Sequence, residues 1–242
     1  MNKAFVRNIT QAVPAAPPKH LNAHAWALVN PALGGPPNMS FFSICEIRHG
    51  GAAITDNHKD ADHCYFILSG RGYSIINGKR YEYGPNDLMW IPGNSDHEMY
   101  PIGTETLRFV VTLTTGTDSV PFRQTEPFVR NIKDVQPVCP PLHENASSWP
   151  LAVPKNGGGD TIEFFITEIR PGGAALKDIH ENEAHVYFFL SGRGYSIIEG
   201  ERFDFGPEDA LYIPKNSQHE MYVVGEETLR FVVTFSPARI AK

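Results

Sequence analysis

The sequence predicts an all-β protein of two tandem units, each folded as an antiparallel barrel or sandwich. Three observations lead to this prediction. The 242-residue chain is rich in Gly (21) and Pro (20), and 11% of its residues are aromatic, a composition typical of short strands joined by tight turns. Long segments recur at one fixed offset, which indicates a duplication. No stretch shows the 3.6-residue periodicity of an amphipathic helix.

The duplication divides the chain into two domains of similar length. The segments SGRGYSII, HEMY and ETLRFVVT begin at positions 69, 97 and 105, and each returns 122 positions later, at 191, 219 and 227. A unit of this length is the size of one compact domain. We therefore predict an N-terminal domain of residues 1–122, with its core at about 40–114. A C-terminal domain of residues 123–242 follows, with its core at about 162–236.

Strand-like segments follow one another at short intervals within the first unit. Apolar and aromatic residues predict strands at 40–48, 63–68, 72–76, 79–83, 87–91, 98–100 and 107–113. Breakers separate them: Gly50 and Gly51 end the first strand, and Pro92 ends the fifth. Asn77-Gly78 is the dipeptide favoured in a two-residue type I′ hairpin turn, between the third and fourth strands. The second unit has the weaker turn sequence Glu199-Gly200 at that point.

Charge and composition exclude several classes of protein. The chain has 21 Lys and Arg against 27 Asp and Glu, a net charge of −6, so we expect neither nucleic acid nor an anionic membrane as a partner. No window approaches the roughly 18 apolar residues that span a bilayer, and the N-terminal segment lacks the apolar region of a secretory signal. Cys45, Cys64 and Cys139 show no CxxC spacing, which argues against a disulfide framework and favours a cytoplasmic location.

Histidines carry the chemistry that the two units share. Each unit reads His-x-(Asp/Asn)-x-x-His and later Gly-Pro-x-Asp, followed by Pro-x-Asn-Ser-x-His. Six of the ten histidines therefore recur in register: His58, His63 and His97 in the first unit, and His180, His185 and His219 in the second.

The spacing resembles the two motifs of the cupin superfamily, G-x5-H-x-H-x3–4-E-x6-G and G-x5-P-x-G-x2-H-x3-N. In the first unit the first motif runs from Gly51 to Gly70, and the second includes Gly84, Pro92 and His97. The second unit repeats both motifs at 173–192 and 206–219. Two motif pairs in one chain resemble a bicupin. The resemblance implies that each unit is a jelly-roll barrel, also called a double-stranded β-helix.

Both units depart from the family pattern at the ligand positions. Asp60 and Asn182 stand where the family has the second histidine of H-x-H, and His63 and His185 stand where it has the glutamate. A barrel brings inward-facing residues of separate strands to one interior point, so three distant histidines can meet there. Three histidines are then the ligand set common to both units. In the first unit, two histidines with Asp60 form an alternative set of the kind typical of non-haem iron.

The donor type indicates which ion these sites hold. Neutral imidazoles suit transition metals rather than Ca²⁺ or Mg²⁺. We therefore expect a divalent transition metal as cofactor, with Fe(II) favoured and Zn, Mn, Ni or Cu as alternatives.

Tyr65 and Tyr187 are the candidate catalytic residues beside the metal. Each lies two residues beyond a predicted ligand, and on a strand such residues share one face. Their hydroxyls could donate to a bound oxyanion, and core packing is the alternative role. The other residues predicted to line a cavity are apolar: Phe66, Ile75, Met89 and Trp90.

Further polar residues have more than one interpretation. Arg108 and Arg230 recur in LRFVVT, where an arginine either clamps a carboxylate or forms a structural ion pair. His20 and His143 recur outside the motifs, beside Pro-Pro, and we expect surface or capping roles for them.

The resemblance implies a metal-dependent enzyme acting on a small organic substrate. Because three-histidine cupins resemble dioxygenases, a non-haem iron dioxygenase is the leading hypothesis. A non-redox isomerase, lyase or decarboxylase that uses its metal as a Lewis acid is the first alternative. A non-catalytic bicupin that binds a small molecule is the second. The Asp60/Asn182 difference leaves open a division of labour between the units, and exposed barrel edges together with the resemblance favour a homodimer.

Overall fold

The computed structural model describes residues 3–239 of the chain. Its strands, in chain order, are β1 Phe5–Asn8, β2 His20–Val29, β3 Met39–Asp56, β4 Ala61–Ser69, β5 Arg71–Ile76, β6 Lys79–Tyr83, β7 Asp87–Ile91, β8 His97–Ile102, β9 Leu107–Thr115, β10 Phe128–Asn131, β11 His143–Ala152, β12 Glu163–Asp178, β13 Ala184–Ser191, β14 Arg193–Ile198, β15 Glu201–Phe205, β16 Asp209–Ile213, β17 His219–Val224 and β18 Leu229–Ser236. Short 3-10 helices occupy Ile9–Gln11, Pro31–Leu33, Ile132–Asp134 and Pro154–Asn156.

The strands form two antiparallel, barrel-like sheets, as the sequence predicts. The N-terminal sheet has the order β10-β7-β4-β9-β3-β8-β5-β6, and β2 also pairs with β3. The C-terminal sheet has the order β1-β16-β13-β18-β12-β17-β14-β15, and β11 pairs with β12. The all-β tandem fold is thereby confirmed. Within the described part of the chain, no helix is long and apolar enough to cross a membrane.

The first predicted strand is longer in the structure than its sequence suggests. β3 continues through Gly50 and Gly51 to Asp56, although the glycine pair was expected to end it. Gly50 has a φ of +74°, and the β2–β3 register shifts between Leu21 and Ala23. The glycines therefore form a bulge that bends the strand without ending it. This bend carries β3 from its pairing with β9 to its pairing with β8.

Both hairpin turns have the left-handed backbone that a type I′ turn requires. Asn77 and Gly78 have φ of +48° and +81°, and Glu199 and Gly200 have φ of +50° and +82°. The two hairpins also share their register, from Gly72↔Tyr83 to Ile76↔Lys79 in the first unit. Glu199 is thus held in a conformation that its neighbours impose and its side chain does not favour.

The two units exchange their first strands. β1, from the start of the chain, pairs with β16 in the C-terminal sheet, with Phe5 opposite Tyr212. β10, from the start of the second unit, pairs with β7 in the N-terminal sheet, with Phe128 opposite Trp90. The predicted bounds of 1–122 and 123–242 describe the repeat in the sequence, whereas each sheet includes a strand from the other unit.

A shared apolar core joins the barrels. Buried residues of both units form one cluster, in which the rings of Phe66 and Phe164 have centroids 5.9 Å apart. Trp90 stacks on Phe128 at 6.1 Å, and its Nε1 donates to Thr125 Oγ1 at 2.9 Å. Phe66 and Trp90 were predicted to line the cavity, and that prediction is wrong, because their strand faces pack against the other barrel. Met89 does lie in the interior cluster of the N-terminal barrel.

The paired arginines of LRFVVT have structural roles at the junction of the barrels. Arg108 forms an ion pair with Glu46 at 3.2 Å, and its two Nη atoms donate to Glu208 at 3.2 and 2.5 Å. Arg230 Nη2 donates to Asn86 Oδ1 at 2.8 Å. The contacts of Arg108 with Glu208 and of Arg230 with Asn86 cross from one unit to the other, so these arginines link the barrels. Arg230 also forms an ion pair with Glu168 at 3.5 Å. The structural ion-pair interpretation therefore holds for both arginines, because the carboxylates that they contact belong to the chain itself.

A buried carboxyl group makes a further link between the units. Asp62 has no exposed surface, and it accepts hydrogen bonds from Gly93 N at 3.1 Å and Thr161 Oγ1 at 2.7 Å. Burial raises the pKa of Asp62 from 3.8 to about 6, and the two hydrogen bonds oppose that shift. The corresponding residue of the second unit is Ala184.

We expect Asp62→Asn to remove a pH dependence of stability. Because the pKa of Asp62 is higher in the folded state, the folded protein binds this proton more tightly. The contribution of this proton to the free energy of unfolding is therefore fully present below about pH 4. It is lost as the pH rises through about 6, and the total loss is about 3 kcal/mol. Urea unfolding of the wild type and the variant at several pH values measures this contribution. An equal slope of stability against pH in the two proteins would contradict it.

Candidate metal centres

The first candidate centre lies inside the N-terminal barrel. His58 follows the end of β3, His63 lies on β4, and His97 begins β8. One ligand atom from each of the three histidines lies within 4.8 Å of the others. The imidazole centroids are 4.6 to 5.3 Å apart. The strands thus bring together three residues that are up to 39 positions apart in the chain.

The C-terminal barrel repeats this arrangement. His180 follows β12, His185 lies on β13, and His219 begins β17. Their ligand atoms also lie within 4.8 Å of one another, and their ring centroids are 4.4 to 5.5 Å apart. All six histidines that the sequence predicts as ligands are therefore grouped into two sets of three.

In one histidine of each set, a tyrosine hydroxyl contacts Nδ1 and leaves Nε2 for a different partner. Tyr65 Oη lies 2.8 Å from His63 Nδ1, and Tyr187 Oη lies 2.8 Å from His185 Nδ1. The Nε2 atoms of His63 and His185 are buried and have no hydrogen-bond partner within the part of the chain that the structure describes. A buried polar atom without a partner is costly, and it indicates a position where a ligand or ion binds. The donor set, three imidazoles in a closed interior, fits a divalent transition metal.

The third histidine of each set is oriented by its own turn. His97 Nδ1 lies 3.0 Å from the carbonyl of Ser95, and His219 Nδ1 lies 2.9 Å from the carbonyl of Ser217. Since a carbonyl only accepts, each Nδ1 carries the proton and donates, which leaves Nε2 free to bind a metal. The Pro-x-Asn-Ser-x-His motif therefore supplies both the ligand and the group that fixes its tautomer.

The interior keeps the imidazoles neutral. Burial lowers the pKa of all six histidines from the ordinary value of 6.5. The pKa falls furthest, to well below the usual range, in His63 and His185, because burial there adds to repulsion from the other histidines of the set. A neutral imidazole is the form that binds a metal, so the site does not have to lose a proton first.

An aspartate beside the first histidine of each set was not predicted. Asp56 Oδ2 lies 3.6 Å from His58 Nε2, and Asp178 Oδ2 lies 3.3 Å from His180 Nε2. The signal was present in the sequence, because Asp-x-His recurs in both units, and residues two apart on an extended chain share a face. Each carboxylate therefore lies within ion-pair distance of the half-buried ring of His58 or His180.

Asp60 does not join the first metal set. Its side chain is exposed, its φ is +52°, and its Oδ1 accepts a hydrogen bond from Asn94 Nδ2 at 2.9 Å. The backbone N of Asp60 in turn donates to Asn94 Oδ1. The two-histidine, one-carboxylate alternative is therefore not the arrangement in the structure. Asn182, its counterpart, is also exposed.

Each of the two candidate tyrosines contacts a histidine of the metal set in its own barrel. Tyr65 and Tyr187 are buried, and burial raises the pKa of both hydroxyls above the usual range. Their hydroxyls lie against Nδ1 of the central histidines, as described above, so they remain protonated and orient those rings. Tyr187 also lines a cavity next to the second metal set.

We expect Tyr65→Phe and Tyr187→Phe to weaken metal binding in their own barrels by about tenfold. Partners that orient a metal-binding histidine contribute roughly 10- to 100-fold to metal affinity. Competition with a coloured chelator measures the affinity, and Tyr195→Phe, at a partly exposed tyrosine of strand β14, is the matched control. Unchanged affinity in both variants would show that these hydroxyls do not support the ligands.

A cavity of about 260 Å³ opens beside the C-terminal metal set. Its wall includes the three histidines and Tyr187, together with aromatic and aliphatic side chains, Phe165, Phe231, Val233 and Phe235 among them. His143, which was expected at the surface or in a cap, is half-buried and lines this cavity. Its Nδ1 bonds to the Pro141 carbonyl at 2.7 Å. His143 therefore caps its own turn, as expected, and also belongs to the wall of the cavity.

The structure thus defines a protein of two jelly-roll barrels, each with three converging histidines. The chain belongs to the cupin family: the family model described as "Cupin domain" matches residues 43–113 and 165–235. The tandem match confirms the bicupin resemblance of the sequence.

Comparison with known proteins gives both sequence and fold relatives. A 5-nitrosalicylic acid 1,2-dioxygenase of Bradyrhizobium sp is 32% identical over 71 residues, which are 29% of this chain and 34% of that enzyme. The Ylba protein of E. coli superposes with a TM-score of 0.81 at 14% identity, covering 100% of this chain and 93% of Ylba. Oxalate decarboxylase of Bacillus subtilis superposes with a TM-score of 0.77 at 14% identity, covering 98% of this chain and 78% of that one. At these identities the two structures show a shared fold.

Proposed function

We propose that the protein is a metal-dependent enzyme acting on a small organic substrate, and that it is a non-haem Fe(II) dioxygenase. The observation that carries the proposal is the pair of three-histidine groups, each with a buried Nε2 atom that no group of residues 3–239 hydrogen-bonds. The similarity to 5-nitrosalicylic acid 1,2-dioxygenase supports the reaction class, although it spans about a third of that enzyme.

The residues of the chain bind and orient, and they exclude water. Three protein ligands leave positions open on a transition metal. When bound, Fe(II) supplies one-electron chemistry with dioxygen, whereas a redox-inert metal supplies Lewis acidity. In the C-terminal barrel, Tyr187 and the Ser217 carbonyl fix two of the rings. Phe235 packs on His185 with ring centroids 4.3 Å apart, which closes one side of the site to water.

The second candidate is non-redox chemistry, in which the metal acts as a Lewis acid. Oxalate decarboxylase, which shares the fold, has been described by its Mn(II) centres. The same three imidazoles would hold Mn(II) or Zn(II), so the ligands do not by themselves decide between the two chemistries.

Metal analysis with oxygen uptake separates these candidates. We expect protein purified without added metal to contain iron and to consume O2 with members of a panel of small keto- and hydroxy-acids. Turnover without O2 uptake, equally supported by Zn and Fe, would assign the Lewis-acid class. Stoichiometric binding without turnover and without metal would contradict the enzymatic proposal and leave a binding protein. The double variant His97→Ala/His219→Ala is the control for adventitious metal.

A further inference from the structure

The cavity of the C-terminal barrel contains a cationic side chain next to the metal set. Arg239 lines this cavity, and its guanidinium carbon lies 3.7 Å from the ring centroid of Phe235. Phe235 in turn packs on His185 and His180, with centroids 4.3 and 5.5 Å apart. The aromatic ring therefore places the partly exposed guanidinium close to the histidines. The rest of the wall combines aromatic and aliphatic side chains with histidines, hydroxyls and one carboxylate, that of Asp178.

Part of this guanidinium is left for a ligand. Arg239 Nε donates to Glu163 Oε2 at 2.5 Å, and Glu163 is buried. This bond and the stacking on Phe235 fix the plane of the group. A guanidinium has five N–H donors, and within residues 3–239 the side-chain hydrogen bond of Arg239 uses the one on Nε. The Nη groups can then form the paired bonds with which arginine binds a carboxylate.

A second polar feature of the cavity also points to a ligand. Ser196 lines the cavity, is 1% exposed, and its Oγ has no hydrogen-bond partner among the described residues. It lies on β14 opposite Met221, two residues along β17 from His219. Ser148 and Thr167 add a bonded pair of hydroxyls to the same wall, 2.8 Å apart. An unsatisfied buried hydroxyl beside a cavity is a position where the polar group of a bound molecule fits.

The N-terminal barrel lacks these groups at the corresponding positions. Thr117 aligns with Arg239 at the repeat offset. Ala25 and Cys45 form the strand pair that corresponds to Ser148 and Thr167. Ser74, the counterpart of Ser196, is bonded to Tyr83 Oη at 3.0 Å, whereas the second unit has Phe205 at that position. The two barrels share their metal ligands and differ in the polar lining.

We infer that the C-terminal cavity binds the substrate as a small organic carboxylate, with its carboxylate held by the Nη groups of Arg239 and its body against the aromatic wall. The inference rests on the proposed function, because it names the substrate class of that enzyme. It also assigns substrate recognition to the C-terminal barrel.

Binding of a matched pair of probes tests this inference. Salicylate and its neutral amide, salicylamide, are titrated by calorimetry into zinc-loaded protein. We expect the wild type to prefer salicylate by about tenfold or more, since a charged hydrogen bond is lost with the amide. Arg239→Gln should abolish this preference and leave salicylamide binding unchanged within about twofold.

Arg202→Gln is the matched control. Arg202 also pairs with a carboxylate, that of Asp204, and stacks on an aromatic ring, that of Tyr195 at 3.8 Å, but it does not line the cavity of the same barrel. This variant should retain the full preference for salicylate. A wild type that binds the two probes equally, or an Arg239→Gln variant that keeps the preference, would overturn the inference.

The failure of this inference is distinguishable from failure of the proposed function. Protein that contains metal and turns over a substrate without any carboxylate preference would refute the role of Arg239 and leave the enzyme proposal intact. A preference that depends on Arg239 in a protein that binds no metal as purified and none on loading would support the carboxylate site and refute the metalloenzyme.

Discussion

His97→Ala and His219→Ala are each expected to remove one of two metal ions per chain. Each histidine is one of three imidazoles that share an interior point, and each is fixed by a carbonyl of its own turn. Removal of one of three ligands costs more than the roughly 10- to 100-fold lost with an orienting partner. The metal content measured after dialysis against a weak chelator should fall from two equivalents to one in each variant and to none in the double variant.

An exposed histidine provides the control for this experiment. His49 lies in the N-terminal barrel, and its Nδ1 bonds to the Gly103 carbonyl outside the metal set. His49→Ala should retain both equivalents. A double variant that still holds two ions would show that these histidines are not the ligands. Activity assays of the single variants also address the division of labour: a larger loss with His219→Ala would place turnover in the C-terminal barrel, where Arg239 lies.

Phe164→Ala is expected to destabilise the whole protein by about 3–5 kcal/mol, the usual cost of removing a buried phenylalanine ring. Phe164 has no exposed surface, and it belongs to the cluster that contains residues of both units. Its ring lies 5.9 Å from that of Phe66 in the other barrel. Because the exchanged strands β1 and β10 also tie the barrels together, we expect one cooperative transition that shifts as a unit.

Chemical denaturation followed by fluorescence and by circular dichroism measures this effect. Leu142→Ala, at a half-exposed leucine, is the control and should change the stability by less than about 0.5 kcal/mol. Two separate transitions, of which only one responds to Phe164→Ala, would contradict a shared core.

The sequence predicts the barrels and the metal ligands because both signals are repeated and local. Alternating apolar residues, the Asn77-Gly78 turn and the fixed offset define the strands without knowledge of their partners. The histidines lie at motif positions in both units, so each copy supports the assignment of the other. His63 and His97 could therefore be placed at one site although 33 residues separate them in the sequence.

Other features depend on contacts that alternation does not reveal. β4 is buried on both faces, because one face lines its own barrel and the other packs on the second barrel. A continuous apolar strand does not show which face is which, and Phe66 was therefore assigned to the wrong one. The exchange of β1 and β10 was not predicted for a similar reason. FVRN occurs in both units, so the segment does not show which of the two sheets it joins. Arg239 was missed because it has no repeated counterpart.

Diffraction data collected at a metal absorption edge test the central claim most directly. Crystals of protein purified without added metal should give two anomalous peaks per chain. One should lie among the imidazole nitrogens of His58, His63 and His97, and the other among those of His180, His185 and His219. The edge energy identifies the element, and we expect iron. The absence of both peaks, with the six rings at hydrogen-bond distance from water alone, would contradict the account.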